Sequence, residues 1–455
     1  MISDSAATRW RRHAAAAGLL GSVWLLGCAS GAERRPNFVV VLVDTLRGDH
    51  LGFAGGAALT PHVDALRERS VWFQNAYANA PWTLPSLASL FTSRIPSRHR
   101  VVVWGRPLPD AQLSLAEVLR EAGYATGAFN ANILFDAKAG FGQGFDRYQV
   151  VWHPDALQAG ASGTFPNAPA SLVTQQAVAW IRSQREARPD APLFVYLQYM
   201  EPHTPYRCPS RAEPGCPDRA QVLNDRLHAE QWDFEPEDRA QIERLYAAEV
   251  DAVDKGLGEL FAALDSVGLR DATWLVVTSD HGEQLGKDGV YLHGKSLDRE
   301  EIRIPLLIHG PGIAPGSVDT PTSLVDLAPT ILDAAGIPAP PDFEGRSLLP
   351  ALRGDALEDL PVIAEIFQTT ESPPRHRLAV MTRADKLVLD PAGGVVRYDL
   401  VSDPREREPR PAERSELARA LGEFEQYIDF GEAPGAPKLD DETRGRLRAL
   451  GYDRH

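Results

Sequence analysis

Two acidic residues and a histidine stand where two apolar segments of the chain end. Residues 274–277 form an apolar run followed by Asp280 and His281, and residues 38–43 form a second run followed by Asp44. Such runs predict buried strands, and in open α/β sheets functional residues lie just past the carboxyl ends of the strands. Carboxylate oxygens beside an imidazole nitrogen suit a divalent cation of the manganese or zinc kind. The pattern therefore predicts a metal site, with a helix or turn cap as the simpler interpretation of each acid.

A threonine precedes a segment with helical spacing. Pro85 fits the first turn of a helix, which continues over residues 86–91 and places Thr83 just ahead of the N-terminus. The free N–H groups and the dipole there stabilise negative charge. A hydroxyl at this point is well placed to lose its proton to a metal and to attack an anionic ester. The alternative, that Thr83 only caps the helix, stays open from the sequence.

Further polar residues follow two other predicted strands. His203 comes after residues 193–199, and Asn132 comes after residues 124–129. An asparagine amide can donate hydrogen bonds to ester oxygens without adding charge. Histidine and asparagine are both common in loops. These two are candidate site residues because each follows the end of a predicted strand.

The remaining pattern predicts an α/β chain with a smaller C-terminal part. Helices are expected over residues 113–122, 170–186, 239–264 and 326–335, and another strand over residues 304–308. Asp251 and Asp254 are expected on the solvated side of the third of these helices. From about residue 355 the pattern changes to short alternating strands over residues 378–382, 386–390 and 395–400, and then a helix over residues 411–428.

Length and charge restrict the class of protein. A chain of 455 residues exceeds the usual size of a single core, so we expect a large domain over residues 37–354 and a subdomain over 355–455. The formal net charge of -15 argues against nucleic acid as the main partner.

The N-terminus has the features of an export signal. Three arginines precede an apolar stretch too short for a comfortable membrane span, and it ends in Leu25-Leu26-Gly27-Cys28. This end resembles the lipobox of bacterial lipoproteins, with an ordinary signal peptide as the alternative. We expect residues 1–28 to be the signal and residues 29–36 a linker, with the chain anchored at Cys28 in the periplasm or at the cell surface. Export would permit a disulfide between Cys208 and Cys216, the other possibility being two free thiols.

Four separated segments together resemble the sulfatases of the alkaline phosphatase superfamily. They are Asp44 after the first strand, Thr83-Leu84-Pro85-Ser86, Ser279-Asp280-His281-Gly282 with Lys295, and His203 with Pro205-Tyr206. The likeness extends over about residues 36–452. It implies an alkaline-phosphatase-like α/β fold, in which helices flank a large, mostly parallel sheet and a small antiparallel subdomain follows.

The resemblance also implies roles for individual residues. It places one divalent metal ion (calcium, manganese or zinc) on Asp44, Thr83, Asp280 and His281. Thr83 would be the nucleophile. Lys295 and His203 would contact the ester group, with His203 as a proton donor to the leaving oxygen. Asn132 and His293 would bind substrate.

The chain departs from the sulfatase pattern at three positions. Threonine stands where sulfatases carry the Cys or Ser that becomes formylglycine, and it cannot give that aldehyde because its Cβ bears a methyl group. Leu87 replaces an arginine and Thr45 replaces a second acid. A threonine nucleophile resembles lipoteichoic acid synthases, lipid A phosphoethanolamine transferases and nucleotide pyrophosphatases. Because those transferases carry several membrane helices and none is predicted here, hydrolysis is expected rather than transfer.

The sequence thus predicts an exported, metal-dependent hydrolase of sulfate or phosphate esters, phosphonates included. The substrate would be a small molecule, a glycan or a lipid. The alternative is a degenerate lipoprotein that binds sulfated or phosphorylated glycans or lipids without cleaving them. The loss of the cysteine, the arginine and the second acid motivates this alternative.

Overall fold

The largest sheet is built around the first apolar segment of the chain. The computed structural model describes residues 35–132, 134–135, 137–152, 168–208, 215–368, 375–390 and 394–422, with Asp441 and Arg444. In spatial order, the eight strands of this sheet are β12 (Gly316–Val318), β2 (Val71–Phe73), β11 (Leu306–His309), β7 (Thr273–Ser279), β1 (Asn37–Val43), β6 (Leu193–Tyr199), β4 (Ala125–Asn130) and β5 (Arg147–Val150).

Most neighbouring strands of this sheet are parallel. Strand β1 is parallel to β6 on one side and to β7 on the other, and only β11 runs against its two neighbours. Parallel strands need crossover helices, and those helices cover both faces of the sheet. The described helices are α1 (Pro61–Arg67), α2 (Thr83–Thr92), α3 (Pro96–His99), α4 (Leu115–Glu121), α5 (Ala170–Ala187), α6 (Cys216–His228), α7 (Pro236–Ser266), α8 (Arg299–Ile302), α9 (Leu327–Ala334), α10 (Leu349–Leu352) and α11 (Arg414–Leu421).

The side chains of β1 alternate between two hydrophobic cores. Val39, Val41 and Val43 pack with residues of α5 and α7. Phe38, Val40 and Leu42 point to the other face and pack with α2, α4 and α9. A strand whose side chains are buried on both faces reads as a continuous apolar run, which is why the sequence predicts this strand correctly. The predicted α/β fold is confirmed.

Three smaller sheets complete the described structure. A five-stranded antiparallel sheet, covered by α11, forms the C-terminal part. Its strands are β14 (Val362–Gln368), β15 (Arg375–Met381), β16 (Asp385–Asp390), β17 (Gly394–Asp399) and β18 (Arg410–Ala412). The other two sheets join β10 (Arg303–Ile304), β3 (Ala76–Tyr77) and β13 (Thr322–Ser323), and β8 (Gln284–Leu285) with β9 (Tyr291–Leu292). Residues 35–455 cluster as one compact unit, and the domain boundary at residue 354 stays a prediction.

Some predicted elements differ from the structure. The single strand expected over residues 304–308 is wrong: β10 and β11 lie in different sheets and are separated by Pro305, which has no N–H to donate. The helix expected from residue 411 begins at Arg414, after β18, and its expected end lies outside the described residues. Helix α6 and strand β14 are not predicted from the sequence.

Asp254 is also placed differently from the prediction. It is buried rather than solvated, and its carboxylate accepts hydrogen bonds from the backbone N–H groups of His62 (3.1 Å) and Val63 (2.8 Å). These donors belong to the first turn of α1, whose Thr60 makes no side-chain cap. The aspartate of one helix therefore caps another.

The predicted disulfide is present, and it joins Cys208 to Cys216 at the start of α6. Among the described residues no helix combines the length and the apolar character that crossing a membrane requires. Residues 1–34, which include the predicted signal and Cys28, lie outside the described residues.

Candidate active site

Two neighbouring strands bring the candidate metal ligands together. Strands β1 and β7 are parallel, and Val43 pairs with Ser279, so the chains leave the sheet side by side at Asp44 and Asp280. The Ser279 hydroxyl donates to the backbone oxygen of Val43 (2.7 Å) and accepts from the N–H of Leu46 (3.0 Å). This serine ties the two strand ends together.

Three ligand atoms face each other in this place. The Nε2 atom of His281 lies 3.7 Å from Oδ1 of Asp44 and 3.4 Å from Oδ2 of Asp280. All three residues are fully buried. The two carboxylate oxygens have no hydrogen-bond partner, whereas the other oxygen of Asp280 accepts from the N–H of Thr45 (3.3 Å) and of His281 (2.9 Å). Buried acceptors without donors are costly, and a bound cation would satisfy these oxygens.

The histidine has the protonation state of a metal ligand. Its Nδ1 atom lies 2.8 Å from the backbone oxygen of Gly282, which can only accept, so Nδ1 carries the proton. The lone pair of Nε2 therefore faces the two aspartates. Such a hydrogen bond on the second ring nitrogen is usual for metal-binding histidines.

Burial shifts the pKa values of this group toward neutral forms. It raises the pKa of Asp44 well above the usual value, and the charge of Asp280 raises it further. Burial also raises the pKa of Asp280 and lowers the pKa of His281 to about 3. A divalent cation would favour the ionised form of both carboxylates and lower their pKa values. The donor set thus fits a metal ion of the kind that oxygen and imidazole ligands bind.

Thr83 lies at the same place. Its Oγ1 atom is 3.2 Å from Nε2 of His281. Thr83 is the first residue of α2, and the preceding N-cap residue, Trp82, makes no side-chain cap. The hydroxyl therefore faces the candidate metal ligands, and the interpretation of Thr83 as a helix cap is wrong. The dipole of α2 points its positive end toward this hydroxyl.

Three imidazole rings line the site next to the metal group. The ring of His293 lies 4.4 Å from that of His281 and 4.9 Å from that of His203, between ring centres. The Nδ1 atom of His203 faces the backbone oxygen of Thr204. Burial lowers the pKa of His293 to about 3, and burial together with His293 lowers the pKa of His203 well below its usual value.

A glutamate that the sequence analysis did not select orients His293. Glu283 is fully buried, and its Oε1 atom lies 3.0 Å from Nδ1 of His293. Its other oxygen accepts from the hydroxyl of Tyr206 (3.3 Å). Burial raises the pKa of Glu283 to about 8. Its position two residues after His281 was the available signal.

Asp44 is held by two amides. Nδ2 of Asn132 and Nε2 of Gln198 lie 3.5 Å and 3.4 Å from its Oδ2 atom. The sequence predicted Asn132 as a substrate ligand, and the structure brings it against Asp44. Gln198 was not predicted, although a glutamine inside the apolar run of β6 is a visible signal.

Lys295 forms an ion pair close to the site. Its Nζ atom pairs with Glu230 (2.7 Å) and stands 5.1 Å from the ring centre of Trp232. It lies close enough to affect the pKa of His293, which its charge lowers. Contact of Lys295 with an ester group stays a prediction.

Comparison with known proteins gives the family. The sulfatase family model matches residues 36–337, and the model described as "N-sulphoglucosamine sulphohydrolase, C-terminal" matches residues 289–414. The chain is 28% identical to an ulvan-active sulfatase of Formosa agariphila over 340 residues, 69% of this chain and 64% of that protein. It is 29% identical to a choline-sulfatase of Rhizobium meliloti over 374 residues, 70% of this chain and 72% of that protein.

A solved structure shows the same fold. The phosphonate monoester hydrolase of Agrobacterium radiobacter superposes with a TM-score of 0.68 at 24% sequence identity, over 86% of this chain and 95% of that one. The family model matches about two thirds of the present chain and includes every strand and loop of the site described above. The chain therefore belongs to the sulfatase family.

Proposed function

We propose that this protein hydrolyses sulfate esters, with Thr83 as the nucleophile and with one divalent metal ion held by Asp44, Asp280, His281 and Thr83. One observation carries the proposal. The Oγ1 atom of Thr83 and two carboxylate oxygens that have no hydrogen-bond partner all lie within 3.7 Å of Nε2 of His281. Degenerate sites rarely keep fully buried carboxylates facing each other, because their desolvation is costly without a cation.

The chain's own groups account for the remaining steps. A bound divalent cation would supply Lewis-acid charge and lower the pKa of a neighbouring hydroxyl. The Thr83 oxygen attacks sulfur, and the bond between sulfur and the leaving alcohol oxygen breaks. The proton released from the Thr83 hydroxyl passes through the ring of His203 to that oxygen, and water then hydrolyses the sulfo-threonine to sulfate and free Thr83. His293, held by Glu283, contacts the ester oxygens on the other side.

The nature of the substrate is inferred from family and relatives. Sulfatase membership favours sulfate esters, and the relatives' names point to a sulfated polysaccharide, ulvan, and to a small ester, choline sulfate. A second candidate is a phosphonate monoester or phosphodiester. It is favoured by Thr83, which cannot become formylglycine, and by the shared fold of a phosphonate monoester hydrolase.

A substrate panel tests the proposal. The metal-loaded protein is assayed with 4-nitrophenyl sulfate, choline sulfate, ulvan, 4-nitrophenyl phosphate, bis(4-nitrophenyl) phosphate and 4-nitrophenyl phenylphosphonate. We expect turnover of at least one sulfate ester, and loss of that turnover in Thr83→Ala. Cleavage of the phosphorus esters alone would move the function to the second candidate. Binding of ulvan without cleavage of any compound would contradict hydrolysis and support the sequence-based alternative of a binding lipoprotein.

We also propose that the protein is exported and lipid-anchored at Cys28 in the periplasm or at the cell surface. The order Leu25-Leu26-Gly27-Cys28 supports this, as does the disulfide between Cys208 and Cys216, since disulfides persist in oxidising compartments. Labelling of a bacterial host with a radioactive fatty acid should mark the protein but not Cys28→Ser. Equal labelling of both would contradict the anchor.

A further inference from the structure

A cavity lies beside the loop that carries His281 and Glu283. Its volume is about 380 Å³, and its lining includes residues after Asp44, the edge of β2 and the segment from α8 to Pro305. Gly282 approaches the backbone oxygen of Glu300 and the side chain of Arg47 so closely that a Cβ there would stand 2.1 Å and 3.3 Å from them. The loop is therefore packed against the wall of this cavity.

The lining of the cavity is cationic although the chain is acidic. Arg47, Arg299 and Arg303 line it together with Asp49 and Glu300. Asp49 pairs with Arg47 (2.8 Å), and Glu300 is neutralised by Lys287 from outside the lining (2.9 Å). Among the described residues no carboxylate lies within ion-pair distance of Arg299 or Arg303, although the charges of Glu406 and Asp49 raise the pKa of Arg303. A local positive excess in a protein with a net charge of -15 favours an anionic ligand.

The two unpaired guanidinium groups keep free donors. Arg303 uses Nη2 to reach the backbone oxygen of Gln74 (2.7 Å) and the side chain of Asn75 (3.2 Å). Arg299 uses Nη1 to reach the backbone oxygen of Pro404 (2.7 Å). Within the described part of the chain the remaining N–H groups of both have no acceptor. The two charges also repel each other: the charge of Arg299, after burial, lowers the pKa of Arg303.

Two aromatic residues also line the cavity. Phe53 and Trp72 contact each other edge to face, with ring centres 5.2 Å apart, and both line the cavity. Cavities of roughly 300–1,000 Å³ with apolar walls and a few polar groups are typical of small-molecule sites. A guanidinium fork binds two oxygens of a tetrahedral anion at once.

We propose that this cavity binds a sulfate or phosphate group between Arg299 and Arg303, either as the free dianion or as an ester on a small sugar-sized ring. The site is separate from the metal group and does not depend on the proposed function, because binding alone tests it. Arg47 lines the cavity and also contacts the loop that follows His281, since its Nη1 atom donates to the backbone oxygen of Glu283 (3.1 Å).

Crystals of the metal-loaded protein soaked in sodium selenate locate the site directly. We expect an anomalous selenium peak between Arg299 and Arg303, in addition to any peak at the metal group. Selenium only at the metal group, or none in the protein, would overturn the proposal.

Titration calorimetry measures the affinity in solution, at constant ionic strength, with sodium sulfate and with glucose 6-sulfate. Arg299→Gln should weaken the cavity event roughly 10-fold or more, because it removes a charge-assisted hydrogen bond. Arg303→Lys keeps the charge but loses the two-pronged guanidinium, and it should weaken binding as well.

The matched control is Arg270→Gln, whose guanidinium pairs with Asp265 on the surface, and this variant should bind as the unchanged protein does. Tighter binding of glucose 6-sulfate would assign a ring-borne group, and equal affinities would assign the free dianion. Unchanged affinities in both cavity variants would overturn the proposal.

Discussion

At the residue scale, the central feature is a hydroxyl in place of the oxidised cysteine of typical sulfatases. Thr83 is buried at the first turn of α2 and 3.2 Å from the lone pair of His281. In the proposed mechanism Thr83 attacks without prior oxidation. Leu87 and Thr45, which replace an arginine and an acid of the sulfatase pattern, are both buried. The charge in the site thus comes from fewer side chains than in that pattern.

Thr83→Ala should lower kcat at least about 10³-fold, because the nucleophile is removed. Thr83→Ser keeps a hydroxyl and should retain turnover within about 10-fold. Thr92→Ala is the matched control, since its hydroxyl only bonds the backbone oxygen of Ala88 in the same helix. Steady-state assays with equal metal content compare the three. Retention of turnover in Thr83→Ala would remove this residue from the mechanism.

Gln198 should set the metal affinity through Asp44. Gln198→Leu removes the amide that lies 3.4 Å from Oδ2 of Asp44, and partners of this kind typically change metal affinity 10- to 100-fold. Competition with a fluorescent chelator measures the affinity. Gln149→Leu, on the edge strand β5, serves as the control. An affinity unchanged within twofold in Gln198→Leu would show that the amide does not hold the ligand.

At the element scale, the ends of neighbouring parallel strands were predictable and the contacts between distant loops were not. Asp44, Asp280 and His203 follow apolar runs that the sequence shows plainly, and parallel strands bring such ends to one edge. The pairing of Glu283 with His293 depends on how the loop of β8 and β9 folds back, which no local pattern encodes. The same holds for the ion pair between Lys295 and Glu230.

The contact that Asp254 makes could not be predicted from the sequence either, although its helix could. Helical periodicity places it beside the apolar face of α7, but only the packing of α1 makes it a cap. Asp254→Ala should lower the free energy of unfolding by roughly 1–3 kcal/mol, because two N–H groups at the start of α1, one of them buried, lose their acceptor. Asp265→Ala, which breaks a surface pair with Arg270, should change it by less than about 1 kcal/mol. Urea denaturation at neutral pH measures both, and equal effects would contradict the capping role.

At the scale of the whole molecule, buried histidines make stability depend on pH. Burial lowers the pKa of His99 to about 3, whereas an unfolded chain has a value of about 6.5. Between these values the unfolded state binds a proton that the folded state does not. The contribution of His99 is therefore complete above about pH 6.5 and is lost as the pH falls below it.

The variant His99→Gln should show a weaker pH dependence of stability. Its free energy of unfolding should fall less between pH 6 and 4.5, by up to about 1.4 kcal/mol per pH unit relative to the unchanged protein. Urea denaturation at a series of pH values gives the two slopes. Parallel slopes would mean that His99 takes up its proton in the folded state.

The most direct test of the account is metal reconstitution of the whole chain. The protein is stripped with a chelator and titrated with calcium, manganese or zinc singly, while bound metal is counted by mass spectrometry and sulfate ester turnover is measured in the same samples. We predict no turnover without metal and a rise that saturates at one ion per chain, with both the ion and the turnover lost in the double variant Asp44→Asn, Asp280→Asn. Full turnover in a metal-free sample would contradict the claim that these residues and Thr83 form one metal-dependent site.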